Sequence, residues 1–262
     1  MSQPPSAPPP PSRAGGDPGG GGGGGVLRIV LRILGVVVVL GVVLVVVLWT
    51  VATTTEETTT QERSIPAGEI DVLDLQAVAG AITIVVEDRP DVVVTSRLTS
   101  GLLDRASSEV DVTAGTLAVS SRCERRGVFS ECRVDHELVV PPGELTSMRV
   151  STTAGPIEVR SFDGQVEIDA TAGEIELLDF KGPSATLQST AARIVVDAVA
   201  PPRSLEVSTT AGEIDITVPD EVYRVSTDTT VGTIEVDVRT EPGSDRSIAA
   251  ETTAGDITIR RR

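Results

Sequence analysis

The phrase "STTAGEID" at residues 208–215 constrains the fold most, because the chain repeats it at a nearly constant interval. Related copies are "STTAGPIEV" at 151–159, "ATAGEIEL" at 170–177, "STAARIVV" at 189–196, "DTTVGTIEV" at 228–236 and "ETTAGDITI" at 251–259. The intervals between the glycine positions, with Ala192 in one of them, are 18, 19, 20, 20 and 23 residues. A period near twenty is typical of a solenoid, in which each unit buries its apolar side by stacking on the next.

Each copy contains two short strands joined at the Thr-Ala-Gly segment. After the glycine, apolar residues alternate with polar ones, as in Ile214 and Ile216, and another apolar residue such as Val207 precedes the glycine by five positions. A period of two predicts half-buried strands. Weaker copies, "LQAVAGAITIVV" at 75–86 and "VDVTAGTLAV" at 110–119, extend the pattern towards the N-terminus. Glycine at the corner supplies a backbone conformation that other residues resist, and the predicted corner glycines are Gly80, Gly115, Gly155, Gly173, Gly212, Gly232 and Gly255.

Stacking places equivalent residues of successive units in columns ~4.8 Å apart. Two columns are expected beside the corner. A threonine ladder consists of Thr153, Thr171, Thr190, Thr210, Thr230 and Thr253. An inward alanine column consists of Ala154, Ala172, Ala191, Ala211 and Ala254. The longer interval from Val225 to Gly232 predicts a β-bulge, and the C-terminal "IRRR" is expected to place like charges on the last rung.

The N-terminal part has a different composition. Residues 1–25 are rich in proline and glycine and predict a disordered cytoplasmic tail. Residues 28–52 predict a transmembrane helix, because the run from Ile33 to Ala52 carries no charge and would span ~30 Å as a helix. Arg28 and Arg32 precede this run, so the positive-inside rule predicts a cytoplasmic N-terminus and a single-pass cell-membrane protein with an extracellular C-terminal domain. A cleaved signal peptide is the alternative. A Thr-rich stalk is expected at 53–67 and an all-β domain at 68–262.

The net charge limits the classes of partner, and the cysteines predict a disulfide. The formal net charge is −16, and it belongs to the part after the apolar run, which argues against nucleic acid as a partner. Cys123 and Cys132 are the only cysteines of the sequence, and on the outer side of a membrane they predict a disulfide near a hairpin tip.

The sequence contains none of the common nucleophile, phosphate-loop or zinc-protease motifs. His136 alternates with Val134 and Leu138, which predicts an inward structural histidine. Glu158, Glu176, Asp215 and Glu235 are expected in one outward column of ordinary solvated carboxylates, and a Ca²⁺ site at these four residues is the alternative. No cofactor is expected.

The block "VVPPGELTSMRVSTTAGPIEV" at 139–159, followed by further S/T-x-A-G-x-I-x-V units behind one apolar segment, resembles the bacterial putative-adhesin family of unknown function. The resemblance covers roughly residues 68–262 and implies an extracytoplasmic β-solenoid behind a single N-terminal anchor. It brings no catalytic residues.

Together these features predict an all-β solenoid of two-strand rungs of about twenty residues, with right-handed crossovers. The expected function is a non-catalytic, adhesin-like module of the cell envelope that binds an envelope protein or polymer. Two alternatives remain: a polysaccharide-active enzyme on a parallel β-helix, and an envelope sensor with a recruited cytoplasmic partner.

Overall fold

The structure is a computed structural model of the 262-residue chain, and it describes residues 34–35, 37–45, 57–101, 104–124 and 132–262. The chain divides into two compact units, Met1–Thr54 and Thr55–Arg262. In the first unit, residues 34–35 and 37–45 are helical and exposed. Among the described residues, no helix has the length and apolar character needed to cross a membrane. The predicted tail and the rest of the predicted membrane helix lie outside the described residues.

The second unit is built from β-strands, and its buried hydrophobic cluster runs from Ile65 to Ile259. The strands are β1 (Glu57–Pro66), β2 (Val72–Ala79), β3 (Ile82–Val86), β4 (Asp91–Ser100), β5 (Arg105–Thr113), β6 (Thr116–Glu124), β7 (Cys132–Val140), β8 (Ser147–Ala154), β9 (Ile157–Arg160), β10 (Gln165–Phe180), β11 (Ser184–Ala198), β12 (Ser204–Ala211), β13 (Ile214–Val218), β14 (Val222–Val231), β15 (Ile234–Asp237), β16 (Arg239–Thr240), β17 (Ser247–Ala254) and β18 (Ile257–Arg261).

The prediction of an irregular stalk at 53–67 is wrong for residues 57–66. Glu57–Pro66 forms β1, which pairs antiparallel with β4 along its whole length. Its side chains from Thr58 to Ser64 are exposed, which explains why the segment lacks apolar alternation. Threonine-rich sequence nevertheless suits a strand, because β-branched residues favour extended backbone.

The strands before and after the corner form two faces around the core. The first face has the spatial order β5-β6-β2-β8-β10-β11-β12-β17-β14. The second face has the order β1-β4-β7-β3-β9-β10-β11-β13-β18-β15. β10 and β11 pass through the corner and belong to both faces. The β1–β4, β4–β7 and β5–β6 pairs are antiparallel, and the other pairs of both faces are parallel. The stacking of two-strand rungs is therefore present.

At both ends the spatial order of the rungs departs from their order along the chain. The C-terminal rung, β17–β18, lies between β12–β13 and β14–β15. Likewise β2–β3 lies between β6–β7 and β8–β9. The expectation that "IRRR" forms the last rung is wrong, because β14–β15 occupies that place. Instead of repelling one another, Arg260 and Arg262 form ion pairs with Asp215 (3.3 Å) and Asp197 (3.1 Å).

The corner explains why the phrase recurs. In β14 and β17 the first threonine of the phrase points inward and donates its hydroxyl to a corner carbonyl of the neighbouring rung, Thr229 to Gly255 (3.1 Å) and Thr252 to Gly212 (3.3 Å). At Gly173 φ is +138°, and an added Cβ would lie 2.8 Å from the carbonyl carbon of Gly155 in the next rung. Both the backbone conformation and the close approach of the rungs therefore require glycine.

Three expectations about the corner are wrong. The alanine column is not inward: Ala154, Ala191, Ala211 and Ala254 are exposed, because the buried position beside the corner belongs to the first threonine. Gly115 forms a two-residue hairpin turn with Ala114 between β5 and β6, with φ of +79° and +51°, as a type I′ turn requires. The expected bulge before Gly232 is absent, since β14 pairs in uniform register with β17 and Thr227 takes the place of the apolar residue.

Candidate functional site

The outer surface of the first face carries a polar groove. Asp74, Arg149 and Glu167 lie in one row across β2, β8 and β10, because these positions pair directly in the sheet. Each has buried apolar neighbours in its strand, so the row points to solvent. The row borders a cavity of about 460 Å³, which Thr186 of β11 also lines.

A second row continues this surface towards the corner. Gln76, Ser151 and Asp169 pair across the same three strands and border another cavity of about 460 Å³, together with Arg122 of β6. We call the two rows Asp74/Arg149/Glu167 and Gln76/Ser151/Asp169 the polar groove. It offers carboxylate, amide, hydroxyl and guanidinium groups over adjacent strands.

Arg149 is the central cation of the polar groove. Its guanidinium donates a hydrogen bond to the carboxylate of Glu167, and this bond raises the pKa of Arg149, with the charges of Glu167 and Asp74 acting in the same direction. Arg149 and Glu167 are both largely exposed, so water screens the pair and its contribution to stability is small. The groups of the groove remain accessible for hydrogen bonds to a ligand.

The four Ca²⁺ candidates lie on the second face, but they do not form a continuous column. The row reads Thr83, Glu158, Glu176, Val195, Asp215, Thr258 and Glu235. Val195 and Thr258 therefore separate Asp215 from Glu176 and from Glu235. The continuous column is a wrong expectation, and its cause is the inserted C-terminal rung together with the degenerate copy at 189–196.

Arginines neutralise much of this row. Glu158 forms an ion pair with Arg160. Arg193 lies 2.7 Å from Asp215 and also faces Glu174 (3.9 Å) and Glu213 (3.7 Å). The hydrogen bond and charge of Asp215 raise the pKa of Arg193. In the described ranges, no group of three or more His, Cys, Asp or Glu residues is arranged to hold a metal ion. The second face is an ion-pair surface.

His136 belongs to the core of the cap formed by β4 to β7. Only 2% of it is exposed, and its Nδ1 lies 3.0 Å from the Ser96 hydroxyl, which in turn accepts from Ser108 (3.1 Å). Burial lowers the pKa of His136 to about 4, although the charge of Asp135 acts in the opposite direction. The imidazole is therefore neutral at pH 7, and its position within the core keeps it from a substrate.

The disulfide joins Cys123 at the end of β6 to Cys132 at the start of β7, with Cα atoms 5.7 Å apart. β6 belongs to the first face and β7 to the second. The bridge therefore ties the two faces together at the capped end, whereas a hairpin would have placed both cysteines in adjacent strands of one sheet.

Sequence reasoning missed the polar groove, although its signal is simple. Asp74, Arg149 and Glu167 each precede a corner glycine by six residues, and the second row precedes it by four. Only the pairing of β2 with β8, across a gap of more than sixty residues of chain, brings Asp74 to this surface.

Comparison with known proteins agrees with this architecture. A family model described as Toastrack DUF4097 matches residues 53–261. The chain belongs to the Toastrack DUF4097 family. This confirms the resemblance to a family of putative adhesins of unknown function.

Solved structures resemble this Toastrack chain only distantly. A "putative cell adhesion protein" of Clostridium sporogenes has a TM-score of 0.42 at 9% identity and covers 79% of this chain and 100% of its own. A "putative adhesin" of Bacteroides fragilis has a TM-score of 0.38 at 16% identity and covers 78% of this chain and 97% of its own. A "putative lipid binding protein" of Parabacteroides distasonis has a TM-score of 0.34 at 12% identity and also covers 78% of this chain and 97% of its own. No curated protein sequence matches the chain.

Proposed function

We propose that the chain is a membrane-anchored protein of the cell envelope whose β-domain binds an envelope protein or polymer without catalysis. The polar groove on the first face carries this proposal. Its two rows present hydrogen-bonding groups at the regular spacing of stacked strands, and they remain open to solvent. Such a surface suits an extended partner that lies across the rungs. The proposed crossovers between rungs are right-handed.

Anchoring in the membrane rests on the sequence of residues 28–52. The run without charge is long enough for a bilayer, and Arg28 and Arg32 precede it. Within it, residues 34–35 and 37–45 are helical, and apolar side chains such as Leu40 and Val45 are more than 60% exposed. A helix that is apolar all round suits lipid as its surroundings. The N-terminus would be cytoplasmic and the β-domain extracellular.

The non-catalytic character is supported by the state of the titratable groups. His136 is buried and neutral, so it does not serve as an accessible general base. On the second face, Glu158 pairs with Arg160, and Asp215 pairs with Arg193 and Arg260. A glycosidase needs an acidic pair whose two pKa values are separated by their surroundings. In the groove, the Arg149 guanidinium lies between the carboxylates of Asp74 and Glu167 and forms an ion pair with that of Glu167.

The test is affinity capture with the full chain in mild detergent, using solubilised envelope of the native cell. Arg149→Glu reverses the central charge of the groove, and Arg160→Glu is a matched control, because Arg160 also pairs with one glutamate but lies on the second face. We expect a component that the wild type and Arg160→Glu retain and Arg149→Glu loses. Equal capture by all three proteins contradicts a role of the groove. Shortening of a captured polysaccharide would support an enzyme instead, and release by EDTA would restore a role for cations.

A further inference from the structure

The end rung β14–β15 has a free edge. β14 pairs with β17 on one side, and on the other side β16 covers only Val222 and Tyr223. β15 pairs with β18. Within the part of the chain that the structure describes, no strand pairs with the other side of Ile234–Asp237.

The hydrogen bonds between β15 and β18 show in which direction the backbone groups of β15 point. The Ile257 amide donates to the Thr233 carbonyl (2.9 Å), so the backbone of Thr233 faces β18. Backbone direction alternates along a strand, and Glu235 therefore also faces β18. The amides and carbonyls of Ile234 and Val236 point to the free edge.

The side chains of the same two residues leave an apolar surface. Ile234 and Val236 are 44% and 39% exposed, whereas their partners in the next rung, Ile257 and Ile259, are fully buried. Val231 at the corner is 67% exposed. Covering these side chains with one more strand would remove them from water, which is the driving force that stacks the inner rungs.

The opposite end of the stack is capped by two antiparallel strands. There the outermost strands are β1 and β5, which pair antiparallel with β4 and β6. Arg63 of β1 donates a hydrogen bond to the carbonyl of Val110 in β5, so the two capping strands are linked across the core. The exposed side chains of β1 from Thr58 to Ser64 are polar, whereas the β15 edge leaves apolar side chains exposed, which is the character of an edge that templates strand addition.

Charge decides which kind of strand fits. Glu235 and Asp237 alternate with Ile234 and Val236, so the outer side of the edge carries two carboxylates, of which that of Asp237 also forms an ion pair with Arg261 of β18 (3.5 Å). If a second copy paired with this edge about a twofold axis, with Ile234 opposite Val236, Glu235 would lie directly opposite the same residue of that copy. Like charges in that position destabilise a strand pair. A strand with basic residues on its outer side and apolar residues on its inner side would be complementary.

We propose that the free edge of β15 binds, by strand addition, an extended segment of a partner protein in which apolar and basic residues alternate. The backbone of Ile234 and Val236 supplies the hydrogen bonds. The partner's apolar side chains cover Ile234 and Val236, and its basic side chains face Glu235 and Asp237. This edge is separate from the polar groove, so the two surfaces can be tested independently.

The test uses the full chain and a synthetic seven-residue peptide, acetyl-TVKVKVT-amide, with acetyl-TVEVEVT-amide as the control probe. Hydrogen exchange is measured at individual amides. We expect the lysine peptide to bind saturably and to slow exchange at Ile234 and Val236, without change at Glu235, whose amide already faces β18. The glutamate peptide should have no such effect. Equal effects of the two peptides, or slowing at no edge amide, would overturn the proposal.

Variants separate backbone pairing from charge. Val236→Pro removes one free amide and should abolish binding, and the double variant Ile234→Lys/Val236→Lys tests the same edge if the proline variant fails to fold. Glu235→Gln/Asp237→Asn should weaken binding roughly fivefold, as expected for two cross-strand charge pairs. Glu241→Gln/Asp245→Asn removes the same charge from the nearby loop and should leave binding unchanged. If the wild type self-associates and Val236→Pro is monomeric, the occupant is a second copy and the proposal is wrong.

Discussion

Replacement of Gly173 by alanine tests the corner most sharply. The residue has φ of +138°, and a Cβ would lie 2.8 Å from the Gly155 carbonyl carbon, where ordinary contacts begin near ~3.5 Å. Strain at such a φ costs about 1–3 kcal/mol, and forcing extra volume between rungs costs about 1–3 kcal/mol more. Gly143→Ala is the matched control, because Gly143 also has a positive φ (+71°) but nothing within 4 Å of the added Cβ.

The free energy of unfolding of residues 55–262 is measured by urea denaturation followed by circular dichroism. This unit is compact and has its own hydrophobic core, so it can be studied alone. We expect Gly173→Ala to lose about 2 kcal/mol more than Gly143→Ala, which is the cost of the overlap with the next rung. In a domain of this size that difference lowers the melting temperature by a further ~4–8 °C. Equal losses for the two variants would refute the close approach of the rungs at the corner.

Three further predictions concern other parts of the β-domain. Ser204 and Ser247 hydroxyls lie 3.4 Å apart, so Ser204→Cys/Ser247→Cys should form a disulfide that peptide mapping detects, and its absence would contradict the inserted C-terminal rung. A disulfide in the separate variant Ser204→Cys/Arg224→Cys would also contradict it, because β17 lies between these two positions. Because Cys123 and Cys132 are nine residues apart, Cys123→Ser/Cys132→Ser should lower the free energy of unfolding by about 2–3 kcal/mol, and an unchanged value would contradict a stabilising bridge. The pKa of His136 is lowered to about 4 in the folded state, against 6.5 in the unfolded state, so the free energy of unfolding should be highest above pH 6.5 and decrease from pH 6.5 to pH 4. His136→Asn should reduce this decrease. The same pH profile in both proteins would refute the role of His136 in it.

The sequence predicts the repeating part of the fold well, because most rungs repeat the same apolar alternation and the same corner glycine, with Ala192 in place of glycine in one rung. The alternation around Ile157, Ile175 and Ile214 gives buried strands, and these residues are at most 1% exposed. Glycine at the corner permits the positive φ found there and leaves room for the carbonyl of the next rung. A requirement that recurs at each unit is visible in one sequence without any alignment.

The order of the rungs could not be predicted, because the repeated phrase does not encode which copy stacks on which. β17 has the same phrase as β14, so periodicity alone places it last, yet it pairs with β12 on one side and β14 on the other. Thr227 in β14 is half-buried where inner rungs have a buried aliphatic residue, and it is a local sign that this rung closes the stack.

The candidate site was hidden for the same reason. Asp74 and Arg149 meet only because β2 pairs with β8, and their surroundings in sequence do not differ from other exposed polar positions. Conversely, the acidic row was overestimated, since Arg193 and Arg260 reach it from neighbouring positions. The pairing of strands that are distant in sequence forms the polar groove, and the reach of the arginine side chains neutralises the acidic row.

Site-specific crosslinking in living native cells tests the binding function most directly. A photoreactive residue replaces Thr186, which lines the polar groove on β11, or Thr217 on β13 of the second face, which is equally half-buried and serves as the control. We expect a discrete crosslinked envelope component from position 186 that is absent from position 217. Crosslinks of equal yield from both positions, or none from position 186, would contradict a binding module that acts through the polar groove.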